Sequence, residues 1–198
     1  MRRILSALFY IFLSSYASAE GEIEEFTFLA VLAEQGDIDS QITLGNLYFF
    51  NIEYRQLEKA KYWYEKAAKK GNSHAQNELG NVYSHSQYAH RDFSKAKYWY
   101  QKSADQGNSS AQVTLGSSYL PNWDHLGSDH YPDYAKAKYW LEKSVKQNNT
   151  TAQNILGTMY EHGRGVRQSK ATAKELYGKA CDNGDQIGCN NYKALNSQ

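Results

Sequence analysis

The sequence predicts an all-α solenoid: about four helix–turn–helix repeats stacked between terminal cap helices. Three observations lead there. First, "KAKYWYEKAAKKGN" from Lys59, "KAKYWYQKSADQGN" from Lys95 and "KAKYWLEKSVKQNN" from Lys136 are near copies of one phrase. Second, another phrase recurs ahead of each, and once more: "DSQITLGNLY" from Asp39, "HAQNELGNVY" from His74, "SAQVTLGSSY" from Ser110 and "TAQNILGTMY" from Thr151. Third, the glycines of that phrase (Gly45, Gly80, Gly116, Gly157) are 35, 36 and 41 residues apart. A catalytic motif usually occurs once, whereas a segment repeated at a nearly fixed period marks a unit that stacks on its own copies.

The chain begins with Arg2 and Arg3, an apolar run from Ile4 to Leu13, and small residues ending in Ala17-Ser18-Ala19. This is the layout of a secretory signal peptide over 1–19, with cleavage expected after Ala19. The apolar run is too short to cross a hydrocarbon core of about 30 Å comfortably. The mature chain is then expected in the periplasm or a secreted space, with no membrane insertion. Loss of 1–19 removes two arginines and no acids, so the formal charge moves from +1 to −1. That balance gives no electrostatic case for nucleic acid or anionic lipid.

Residues 20–36 contain "EFTFLAVLAEQG", expected to be an N-terminal cap helix of the second type only, with Phe28 at the Trp position. Four repeats follow, at about 37–71, 72–107, 108–148 and 149–184, and a C-terminal cap over 185–198. In each repeat the first phrase reads as helix A. Ala75, Leu79, Val82 and Tyr83 lie about four apart on one face. A glycine inside a helix costs about 1 kcal/mol against alanine, so its recurrence implies that a neighbouring backbone needs the space. The second phrase reads as helix B, with Ala60, Trp63, Tyr64, Ala67 and Ala68 on one face and Lys59, Lys66 and Lys69 opposite. Gly71 and Gly107 fall where a left-handed C-cap is wanted, and Asn72 and Asn108 supply N-cap chemistry for the next helix A. One such pair cannot bury its Trp and Tyr alone, so stacking is obligatory. Emptying a buried indole such as Trp99 by an alanine substitution is expected to cost about 3–5 kcal/mol.

The two phrases, "AQxxLGxxY" and "KAxxWYxKAAxxG", resemble the Sel-one-like repeat, a relative of the tetratricopeptide repeat, over about residues 25–195. The fourth copy adds the Gly163-Arg164-Gly165-Val166 loop usual in that family, and the first three depart from it there. The resemblance implies a right-handed superhelix whose A helices line a concave side. Cys181 and Cys189, the only cysteines, sit across a helix–turn–helix corner. In an oxidising compartment such a pair reads as a disulfide, and the cysteine-rich branch of the family carries pairs at this spacing; a zinc or redox role stays open. Closing so short a loop adds about 2.5 kcal/mol and would staple the last helix to the stack.

Candidates for chemistry are few. The insertion from Asn122 to Tyr134 holds Asp124, His125, Asp129, His130 and Asp133, which could ligate a metal. An exposed loop is the simpler account, and its Trp123, Tyr131 and Tyr134 are aromatic anchors of the kind enriched in hot spots. The lysine pairs Lys59/Lys61, Lys95/Lys97 and Lys136/Lys138 are interspersed with acids and read as a solvated face. No nucleophile elbow or phosphate cradle is evident, so neither enzymatic activity nor a cofactor or metal is expected.

What remains is a largely uncharged stripe on the A helices. Its candidate partner-binding residues are Thr43, Asn46 and Phe50 (with Leu47); Glu78, Asn81 and His85 (with Val82); Thr114 and Ser117 (with Ser118); and Ile155, Thr158 and His162 (with Met159). Trp123 and Tyr131 of the insertion join them. Such a surface suits a protein segment. The expected function is an extracytoplasmic protein-binding adaptor, and the resemblance extends this to immunity proteins that neutralise toxic effectors. A β-lactam-binding or -hydrolysing enzyme and an envelope- or peptidoglycan-binding protein are the alternatives.

Overall fold

The structure is a computed structural model and describes residues 26–50, 56–84, 91–121 and 132–197. The signal peptide expected over 1–19 lies outside these residues, as do His85, Trp123 and Tyr131 and the histidines of the insertion. Ten helices and no strand occur among the described residues. They are α1 (26–35), α2 (Ile38–Phe50), α3 (Leu57–Lys69), α4 (Ser73–Ser84), α5 (Phe93–Asp105), α6 (Ser109–Ser118), α7 (Tyr134–Val145), α8 (Thr150–His162), α9 (Lys170–Asp182) and α10 (Gln186–Asn196). Each A helix packs on the B helix that follows it: α2 on α3, α4 on α5, α6 on α7, α8 on α9. The fold class is an all-α solenoid of helical pairs.

The chain divides into two compact units at Lys70/Gly71. The first holds α1 to α3, and its core is Ala33, Leu44 and Trp63, flanked by Leu29, Ala30 and Tyr48. Phe28 does not join that core; it is 64 % exposed. A Trp-position side chain packs against the preceding helix B, as Trp63 does against Ala33, and among the described residues no helix precedes α1.

The second unit holds α4 to α10. One of its clusters gathers Ala96, Tyr100, Ala104, Ala111, Leu115 and Trp140; another gathers Val113, Ala137, Leu141, Ala152, Leu156, Met159 and Leu176. α5 packs on α6 and α7 on α8, so each pair closes the core of its neighbour. Trp63 and Trp140 are 7 % and 6 % exposed, whereas Trp99 is only half-buried, short of the full burial expected for it.

The helix boundaries follow local chemistry. The side chains of Asp92, Asn108, Asp133, Asn149, Ser169 and Asp185 each accept the N–H three residues on, capping α5 to α10 in turn, and Asn72 does the same for α4 through the N–H of Ala75. Asp133, counted above among possible metal ligands, is thus a cap, and it also pairs with Lys136 at 2.9 Å. Turns between repeats pass through left-handed residues, Gly71 and Gly107 at φ 92° and, in the third repeat, Asn148 at φ 60°.

The glycine in each helix A answers first to a side chain, with a backbone atom, Ala137 O, also close only at Gly116. A Cβ on Gly45, Gly80 or Gly157 would stand 2.4, 2.7 or 2.6 Å from the ring of Tyr64, Tyr100 or Tyr177. The residue after the Trp position lays its ring flat across the missing side chain. In the third repeat Leu141 takes that place, 2.8 Å from a Cβ on Gly116.

Candidate functional site

Crossing the glycine delivers each tyrosine hydroxyl to the next helix A residue. Tyr64 donates to Asn46 Oδ1 at 2.7 Å and Tyr100 to Asn81 Oδ1 at 2.6 Å. Tyr177 donates to Glu161 Oε2 at 2.8 Å and lies 3.0 Å from Thr158 Oγ1. Asn46, Asn81 and Thr158 therefore spend part of their polarity inside the fold. Burial pushes the Tyr100 hydroxyl up to about 12, with Ser84 opposing and the Glu78 charge adding. Burial likewise raises Tyr177 to about 12.

The remaining predicted positions separate into hidden and open ones. Ser117 is fully buried, and its Oγ finds no partner among the described residues, because Leu141 brings no hydroxyl. Met159 is core at 1 % exposed. Glu78 is 8 % exposed and takes hydrogen bonds from Asn77 and Asn81. As the structure stands, these three offer no surface to a partner; they lie on the part of helix A that turns toward its neighbours. Thr43 is exposed and Thr114 half-buried, each donating to the carbonyl four residues back. Phe50 and Leu47 stand 61 % and 47 % exposed on α2. Val82 and Ser118 are half-buried, and His162 is exposed with Nδ1 against Thr158 O.

Two predicted residues, Ile155 and Thr158, come together in a cleft of about 250 Å³ between α8 and α10, which Thr151, Asn154, Asp185, Ile187 and Asn191 complete. Ile187 is 64 % exposed at its rim. Asn154 Nδ2 donates to Asp185 Oδ1 across the cleft at 2.8 Å, and that carboxylate also accepts the Gly188 N–H. The Gly188 N–H foremost, with Asn154 and Thr150, holds the Asp185 carboxyl below the usual carboxylate range. The α10 contributors are absent from the predicted stripe because, although Cys189 opens a fifth helix A in the sequence, that segment is expected to serve as the C-terminal cap. The signal was present: a step of 36 residues carries Asn149 to Asp185, Thr151 to Ile187 and Ile155 to Asn191. By register, then, α10 is a fifth helix A.

The same register explains the cysteines, which form a disulfide with Cα atoms 4.4 Å apart. In earlier repeats a buried glutamine near the start of helix A reaches back to the helix B before it. Gln41 Nε2 donates to Ala33 O at 2.8 Å and Gln112 Nε2 to Ala104 O at 3.1 Å, each over eight residues. Cys189 and Cys181 are eight apart at the equivalent positions. Gln106 and Gln147 in turn donate to Gln76 and Gln112. Lys70 and Asn183 stand one repeat away from them, and there Gln41 and Gln153 keep an Oε1 without a partner among the described residues.

Among the described residues no group of three His, Cys, Asp or Glu is placed to hold a metal, and no helix is long and apolar enough to cross a membrane. Comparison with known proteins gives four matches to the Sel1 repeat, at residues 38–72, 73–108, 110–149 and 150–185. Among solved structures, a protective antigen of uropathogenic Escherichia coli displaying an SLR fold is 29% identical with a TM-score of 0.77, over 88% of this chain and 37% of the antigen. A Sel1 repeat protein from Oxalobacter formigenes is 26% identical with a TM-score of 0.66, over 77% of this chain and 60% of that one. A Sel1 repeat protein of Klebsiella pneumoniae subsp. pneumoniae, 22% identical with a TM-score of 0.56, shares the fold over 91% of this chain and 88% of its own. The chain thus spans well under two thirds of the antigen's length. No curated protein matches it. With four repeat matches covering most of its length, the chain belongs to the Sel1 repeat family.

Proposed function

We propose that this chain is an extracytoplasmic adaptor that binds a segment of another protein along its A helices. The Sel1 repeat solenoid suggests a protein-interaction role, and one observation supports the choice of surface. The α8–α10 cleft is walled by Ile155 and Ile187, and its single carboxylate, Asp185, is already committed to the α10 cap. It offers a partner apolar contact with polar atoms at the edge, the usual anatomy of a protein-binding pocket. The disulfide supports an oxidising compartment.

Affinity capture from the native envelope, followed by mass spectrometry, tests the reading. The wild-type chain retains a specific protein, and Ile155→Asp with Ile187→Asp loses it while keeping the helical circular dichroism. Capture of a toxic effector, with the chain suppressing its toxicity, would give the immunity role. Equal retention by the double variant would move the interface off this cleft.

A further inference from the structure

We propose that the Cys181–Cys189 disulfide is a redox latch: cleaving it releases α10 and dismantles the α8–α10 cleft while α4 to α9 stay folded. The inference starts from how little else holds α10. Each of α8 and α9 buries at least four residues, whereas α10 buries only Gly188. That residue lets α10 approach α9 closely at one point, since a Cβ there would stand 2.6 Å from Ala180 Cβ and 2.9 Å from the Cys181 nitrogen. Beyond this the helix is held by the half-buried Tyr192 ring beside Gly178 and Lys174, the Asp185 cap, the Asn154–Asp185 bond and the disulfide.

The covalent bond occupies the register where Gln41 and Gln112 make a buried amide-to-carbonyl bond. A hydrogen bond in that place is permanent in any compartment; a disulfide is conditional on redox poise. Both cysteines are only half-buried, so a reductant can reach them. Three of the seven cleft residues lie on α10 or its N-cap, Ile187 and Asn191 in the helix and Asp185 as the cap, so undocking removes that wall.

The reductant is a dithiol. Its thiolate attacks one sulfur of the pair, breaking the Sγ–Sγ bond and forming a mixed disulfide. Its second thiolate displaces the protein sulfur and closes the reductant's own disulfide. Two electrons and two protons pass to Cys181 and Cys189, which become thiols.

Hydrogen–deuterium exchange on the full chain, with and without dithiothreitol in native buffer, tests this. Amides of residues 186–196 are expected to lose protection by at least about tenfold on reduction, those of α4 to α7 to stay unchanged, and reoxidation to restore the original pattern. Cys181→Ser with Cys189→Ser should show the reduced pattern without reductant. Unchanged protection in α10, loss spread evenly over α4 to α10, or a disulfide that dithiothreitol cuts only in denaturant would each overturn the latch. The effect on a partner rests on the binding reading above, but the release of α10 does not. If α10 opens while partner capture persists, the latch stands and the cleft is removed as the binding site.

Discussion

The smallest recurring device in this chain is a glycine, a ring and an acceptor. Gly80, Tyr100 and Asn81 show it complete, and Gly116, Leu141 and Ser117 show it broken, with a buried hydroxyl that finds no partner among the described residues. An unsatisfied buried polar group costs about 1–3 kcal/mol, and alanine also suits a helix better. Ser117→Ala should therefore raise the urea-unfolding free energy by about 1 kcal/mol, whereas Asn81→Ala, which strips the acceptor from a buried phenol, should lower it by about 1–2 kcal/mol. Tyr100 adds a pH signature. Its folded pKa of about 12 exceeds the ordinary value near 10, so the folded state holds its proton more tightly. That contribution, about 2–3 kcal/mol from a two-unit shift, is fully present below pH 10 and is lost as pH rises through 12. Tm measured from pH 9 to 12 should fall less steeply in Tyr100→Phe than in the wild type.

At the scale of the helix, the repeat phrases made most of the fold legible. The positions of Ala60, Trp63, Tyr64, Ala67 and Ala68 on one face announced α3, and all five are buried. Caps at Asn72 and Asn108 and left-handed turns at Gly71 and Gly107 were equally plain, because each is local chemistry acting within four residues. What the sequence hid was non-local. Which helix A side chains turn inward depends on the ring arriving from helix B, so Ser117 and Glu78 read as surface and proved buried. Depth of burial was hidden for the same reason, and Trp140 and Trp99 differ although their phrases match. Trp140→Ala should cost about 3–5 kcal/mol in urea, and Trp99→Ala clearly less, since the cost scales with the buried volume emptied. The turn after α7 gives a further test. Asn148 holds the left-handed conformation that Gly71 and Gly107 hold elsewhere, so Asn148→Gly should stabilise by about 0.5 kcal/mol, read as a rise in the urea midpoint.

At the scale of the whole molecule, salt can separate the proposed binding through the A-helix cleft from binding through the lysine-rich B helices. The chain carries a formal charge of only +1, but its charges are unevenly placed. Lysines crowd the B helices, where Lys95, Lys136 and Lys138 pair with Asp92, Asp133 and Glu142 at partly exposed positions. Such pairs contribute about 0–1 kcal/mol each and weaken with ionic strength. The A-helix cleft offers Ile155, Ile187 and amide or hydroxyl groups, with its one carboxylate already engaged. A partner seated there gains from apolar burial, which added sodium chloride barely changes, while one held by the lysines loses its attraction as the screening length falls from above 10 Å to below 5 Å. Between 50 and 500 mM sodium chloride, roughly the range spanning those lengths, the Kd of the captured partner by calorimetry should change by less than about threefold. A weakening of tenfold or more would place the contact on the B helices, where Tyr62, Tyr98 and Tyr139, each beside a lysine, face solvent.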